Sequence, residues 1–221
     1  DGRDDGNGLF SLINDYRLGR LSLFSQFFFY GVDHAFDQTS IAVKNSSLNG
    51  MDGVFTNGGF GKIHPGEDPD LALRLQKSGF DTMLFPKAFV YHKRRIDWDN
   101  FYDQVYKFGL VRPILSQWHP DSDKLTFWFP AIFSLGMILA VFLLIFKLQF
   151  LVYAYFIYFF IILIDASIRT RSLQIGVFSI WASLIQFSAY GLGFCRSTYY
   201  IRIKKEDPEK RFPQLFFKND R

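Results

Sequence analysis

The sequence predicts an α/β domain followed by a C-terminal transmembrane helical region. Short strand-like runs alternate with one-sided helical patterns up to residue 123, and three long, almost uncharged apolar runs follow Lys124. Of 221 residues, 28 are Phe and 19% are aromatic, more than the core of a water-soluble domain of this length needs. Residues 1–123 are read as one domain, 124–195 as the membrane region and 196–221 as a basic tail.

The elements follow in order. Asp1–Gly8 is polar and glycine-rich and reads as a loop. It is no calcium loop, because Leu12 stands where a bidentate Glu is required. Leu9–Tyr30 reads as an amphipathic helix carrying Arg17 and Arg20, with Phe24, Phe27, Phe28 and Phe29 facing a core or dipping into lipid. Thr39–Val43 has the character of a short strand, and Asn45-Ser46-Ser47 that of a helix start. Asp52–Gly66 is a loop whose glycines at 53, 58, 59, 61 and 66 permit close approach of backbone to a ligand. Asp70–Ser78 is a one-sided helix, with Leu71, Leu73 and Leu75 inward, Arg74 and Lys77 outward, and Gly79 as its stop. Ahead of it, Asp68 is placed to cap, Pro69 to occupy the first helical position and Asp70 to complement the helix dipole. Phe80–Tyr91 reads as extended structure interrupted at Pro86. Ile96–Leu115 is a further helix, with Phe101, Val105, Phe108 and Val111 at helical spacing.

Phe127–Phe146 is a twenty-residue run without a charge, enough to span a hydrocarbon core of about 30 Å. Leu148–Ile164 and Leu173–Cys195 are the second and third runs. Gly176, Ser183, Gly191 and Gly193 offer small faces for helix contact, and Trp128, Tyr153 and Tyr190 stand where aromatic belts form. With residues 1–120 cytoplasmic, three crossings would put the basic tail on the far side, against the positive-inside bias. Either that bias is broken or one run is re-entrant or interfacial. The net charge of +4 does not point to nucleic acid; the basic residues flank the apolar runs, where anionic headgroups meet them. A lone cysteine, Cys195, excludes a disulfide framework. Asp165, at the end of the second run, is the ionisable residue within these runs, which disfavours a transporter. The first residue is not Met and no signal-peptide pattern follows it, so a longer parent chain is expected.

Several residues have chemical potential. Helix-start N–H groups are expected to hold the Asp68 carboxylate ionised, and in a glycine-lined cleft it can take a proton from an attacking hydroxyl. His92 ends a strand beside Lys93, Arg94 and Arg95, where arginine forks grip phosphate oxygens. A lone histidine is more often structural and a cationic run more often solvated, so neither is specific by itself. Gln104 and Arg112 on the next helix would each pass as ordinary polarity.

In combination these segments resemble the second half of family 2 glycosyltransferases. The resemblance rests on Gly66-Glu67-Asp68-Pro69-Asp70-Leu71-Ala72-Leu73-Arg74-Leu75, Gly79-Phe80, and Phe85-Pro86-Lys87-Ala88-Phe89-Val90-Tyr91-His92. Gln104, Phe108-Gly109 and Arg112, leading into membrane runs, extend it over residues 39–195 in the manner of membrane-bound bacterial members. It implies a partial GT-A-type α/β sandwich around a mostly parallel sheet, ahead of the membrane helices. It also implies Asp68, with Glu67 beside it, as catalytic, His92 as a ligand of Mn²⁺ or Mg²⁺, and Arg94, Arg95, Gln104 and Arg112 as substrate contacts. The implied reaction is inverting transfer from a nucleotide-diphosphate sugar to a glycan or lipid-linked acceptor, for envelope glycan or glycolipid synthesis. The implied location is the cell membrane, multi-pass, with the catalytic part cytoplasmic. No strand followed by Asp-x-Asp precedes residue 39, so the chain is expected to represent the acceptor half plus anchor, with weak donor binding in isolation. The competing expectation is a non-catalytic membrane-anchored remnant that binds lipid or a protein partner.

Overall fold

The computed structural model describes residues 41–44, 54–84 and 97–217. The expected helix over 9–30, the helix start at Asn45, the segment beyond Leu84 and the His92–Arg95 cluster lie outside these residues. Strands β1 (Ile41–Lys44) and β2 (Asp81–Leu84) pair antiparallel, Ile41 opposite Leu84 and Lys44 opposite Asp81. This is the sole sheet among the described residues. The expected GT-A-type α/β sandwich is therefore corrected: the described elements are overwhelmingly helical and no sandwich forms. A parallel sheet buries its faces under crossover helices, whereas here the buried residues of the helices Trp98–Trp118, Phe129–Leu144 and Leu173–Ser197 pack on one another.

Helix α1 runs over Glu67–Lys77 and starts earlier than the sequence suggested. Asp68 is not its cap: Gly66, at φ +121°, holds that position, and no side chain caps the helix. Pro69 is tolerated inside the first turn because the N–H groups there have no helical partner. A Cβ on Gly66 would stand 2.6 Å from Val111 Cγ1, so glycine lets the loop lie directly on the next helix. At the other end the Gly79 N–H bonds to Gln76 O (3.0 Å) and the Phe80 N–H to Leu75 O (3.1 Å), the expected glycine stop. Phe80 then packs with Leu71 and Leu75.

Helix α2 (Trp98–Trp118) is capped by Asp97, whose carboxylate accepts from the Asn100 N–H at 2.8 Å. Its residues 109–116 are all buried. Helices α3 (Phe129–Leu144), α4 (Phe150–Thr170) and α5 (Leu173–Ser197) follow, and α5 continues into a π-helical segment, Thr198–Ile203. The stretches Leu125–Leu144, Phe150–Thr170 and Leu173–Ile203 are long and apolar enough to cross a membrane. Small residues set the contacts: a Cβ on Gly109 would overlap the Tyr190 carbonyl, and one on Gly193 the Tyr106 carbonyl, so α2 and α5 touch backbone to backbone. Beyond Ile203 the chain forms a single helical turn, α6 (Pro208–Arg211), and returns to the start. Phe212 and Leu215 are fully buried with Ile63, Leu110, Val111, Ile114, Leu115 and Ile201. Ile63 bridges Phe216, the His64 N–H bonds to Leu215 O (2.7 Å) and the Phe217 N–H to Lys62 O (2.9 Å).

Candidate active site

The acidic run opens α1 directly after this C-terminal brace. Glu67 Oε1 lies 2.8 Å from His64 Nδ1, while Glu67 Oε2 is buried with no hydrogen-bond partner among the described residues. Asp68 is half-buried and accepts no hydrogen bond among the described residues. Burial raises its carboxyl above the ordinary aspartate value, and the Glu67 charge pushes the same way against a smaller opposing effect of His64. The direction is opposite to the lowering that helix-start N–H groups alone would give.

Asp70 has the opposite environment. It is 5% exposed, its Oδ1 lies 2.8 Å from His119 Nε2, and its Oδ2 accepts from Arg74 Nε at 3.0 Å. Arg74 also donates to Gly59 O (2.6 Å) and to Asn57 O, which ties the glycine-rich loop to α1. A Cβ on Gly61 would stand 2.7 Å from Asp70 Oδ2. His119, just past the end of α2, donates through Nε2–H, while Nδ1 is buried without a partner among the described residues. Asp70, Arg74 and His119 thus lock the first turn of α1 against the segment leading to α3. His119 is absent from the residues the sequence singled out; the available signal was the Trp118-His119-Pro120 sequence at a helix end.

With this geometry in place, the sequence matches the glycosyl transferase family group 2 over residues 12–168, well over half of the chain. The chain belongs to that family. It is accordingly a glycosyltransferase, acting between a sugar donor and an acceptor, and its apolar helices associate it with a membrane. No curated protein matches the sequence, and no solved structure does.

His92, Arg94 and Arg95 lie outside the described residues. Gln104 is half-buried on the first half of α2. Arg112 is 2% exposed and turned inward. It donates to Ser122 O (3.0 Å) and Oγ (3.1 Å), with its guanidinium 3.7 Å over the Phe127 ring. Burial lowers its proton affinity, Tyr190 and Asp123 oppose that, and Arg202 adds to it. Asp123 beside it accepts from Ser116 Oγ (3.0 Å) and Arg202 (2.7 Å). Arg112 therefore occupies a position that joins α2 to the start of the membrane region. Among the described residues no three His, Cys, Asp or Glu side chains come together as a metal site.

Proposed function

We propose that the chain carries the acceptor-activating part of a membrane-associated, inverting glycosyltransferase, with Asp68 as general base. The acceptor hydroxyl gives its proton to the Asp68 carboxylate as its oxygen bonds to the anomeric carbon of a nucleotide-diphosphate sugar. The bond from that carbon to the diphosphate oxygen breaks, and the nucleoside diphosphate leaves with the electron pair. Attack opposite the leaving group inverts the anomeric centre. The observation that carries this reading is the contrast within one helical turn: Asp70 is consumed by His119 and Arg74, while Asp68 is uncommitted and has raised proton affinity. A base works best when its proton affinity approaches that of its medium.

Glu67, held by His64, stands beside the base. In this reading Arg94 and Arg95 contact the diphosphate, and Gln104 serves the substrate from α2. The donor's diphosphate is also the natural ligand of Mn²⁺ or Mg²⁺, with His92 contributing. The described residues do not by themselves form such a site. A glycan or lipid-linked acceptor in the cell envelope fits a base held close to apolar helices. The test is sugar incorporation by membranes carrying the full chain, using a panel of uridine- and guanosine-diphosphate sugars. Asp68→Asn is expected to lower turnover about 100-fold or more; turnover equal to wild type would remove Asp68 from the reaction.

A further inference from the structure

α5 passes the length test for a membrane span, but its neighbours argue against a crossing. It runs alongside α2 from end to end. Phe178, near its start, lies against Trp98 at the start of α2, with ring centroids 6.2 Å apart. Mid-way, Gly193 and Tyr190 meet Tyr106 and Gly109, and Arg196 donates to the Tyr106 hydroxyl at 2.8 Å. At the far end Ile201 packs on Val111, Ile114 and Leu115. The first half of α2 is not a membrane element: Asp97, Asp99 and Asp103 are exposed. Carboxylates at a bilayer centre are strongly disfavoured. A helix whose start touches the start of α2 and whose end touches its end therefore keeps both ends on the side of the membrane that α2 occupies.

The outer face of α5 supplies the second observation. Leu173, Val177, Trp181, Leu192, Tyr199 and Ile203 are 46–68% exposed. At about 100° per residue they fall within roughly a third of the helix circumference. Tyr190, Phe194, Ser197 and Ile201 point the opposite way and are buried. One apolar face is thus uncovered on the side away from the charged half of α2. The third observation is a parity. Ile63, ahead of the apolar helices, and Phe212 and Leu215, beyond them, share one core. The chain between them must cross the bilayer an even number of times. Helices α3 and α4 supply two crossings: α4 has no buried residue along its 21, and Phe156, Ile157, Phe160, Ile161 and Ile164 leave an apolar face open to lipid. The start of α5 rests on the last turns of α4, where a Cβ on Gly176 would overlap Ser167 Oγ.

We propose that α5 is not a span but lies in the membrane–water interface, with its 173–203 stripe facing lipid and α2 covering its other side. Helices α3 and α4 form the crossing hairpin between Ile63 and Phe212. The test places single cysteines at exposed positions of the full chain after Cys195→Ser: Lys77→Cys, Lys147→Cys, Arg171→Cys and Gln214→Cys. A membrane-impermeant maleimide is applied to sealed vesicles of each orientation. Positions 77, 171 and 214 are expected to react at least about tenfold faster from one side, and position 147 from the other. Reaction of position 214 from the side opposite to position 77 would mean that α5 crosses. Position 147 sharing the side of position 77 while position 171 lies opposite would make α4 and α5 the crossing pair. Either pattern overturns the proposal.

Discussion

Asp68 and Asp70 sit two residues apart on the first turn of α1, yet burial treats them differently. Asp68 keeps a raised proton affinity, caused by burial first and Glu67 second. A carboxyl whose folded value is raised contributes stability below its unfolded value and loses that contribution as pH rises through the folded value. Above that value the charged form of Asp68 is thus a stability cost. Asp68→Asn is expected to unfold at the same or a higher temperature than wild type at pH 7, with the difference vanishing in acid, while sugar transfer collapses. Thermal unfolding in detergent at two pH values checks the first part. Asp70 behaves oppositely, because removing one member of a buried ionic group strands the others. His119→Leu is expected to cost about 3 kcal/mol, and His119→Gln, which restores a donor, distinctly less; unfolding midpoints of the two variants decide it. The sequence marked Asp68 as the chemical carboxylate and gave Asp70 a part in the helix dipole, but the buried network that Asp70 joins was not legible. That depends on His119, which reaches Asp70 from 49 positions away.

Elements whose identity rests on length and local chemistry were legible. α3, α4 and α5 follow from uncharged length, and the end of α1 follows from Gly79. The sheet was not, because short apolar runs such as Phe80–Tyr91 do not carry their pairing partner or its direction. Val105 and Val111 of the expected α2 face are buried, Val105 with Tyr190 and Phe194 of α5, and Val111 with Ile201 and the bridging segment at Ile63. The contact that decides this is between Gly109 and Gly193. Gly193→Ala is expected to force α2 and α5 apart and to cost about 1–3 kcal/mol, whereas Gly79→Ala meets no atom within 4 Å and suffers backbone strain only. Comparing the two unfolding midpoints in one detergent tests the ranking. Asp123 gives α2 and the π-helical segment a pH-dependent tie. Burial would raise its carboxyl, but hydrogen bonds from Arg202 and Ser116, with the charges of Arg202 and Arg112, hold it below the ordinary value. A depressed carboxyl contributes stability above its unfolded value and loses it as pH falls through the folded one. Asp123→Asn is therefore expected to flatten the acid limb of the stability profile and leave its alkaline limb unchanged in shape, as read by unfolding midpoints from neutral pH downward.

At the scale of the whole molecule, composition already placed the chain in a membrane. Extraction is expected to require detergent, and recovery in a high-salt wash without detergent would contradict it. The tail was less legible. Arg196 to Arg221 reads as a basic extension because its charges dominate, while Phe212 and Leu215, the residues that anchor it, are too few to show a pattern. The pairing of Lys62–His64 with Leu215–Phe217 has a consequence for biosynthesis. The His64–Leu215 bond joins positions 151 apart (215 − 64), with every apolar helix in between. At roughly 5–20 residues per second, the acidic helix leaves the ribosome about 8–30 s before its brace exists. During that interval Ile63 and the inner face of α2 lack Phe212 and Leu215, so their shared core stays open on that side. Maturation of the site thus waits for residues 212–217. A chain ending at Arg211 should insert normally yet be cleaved by added protease near Lys62, a cut that the full-length chain resists.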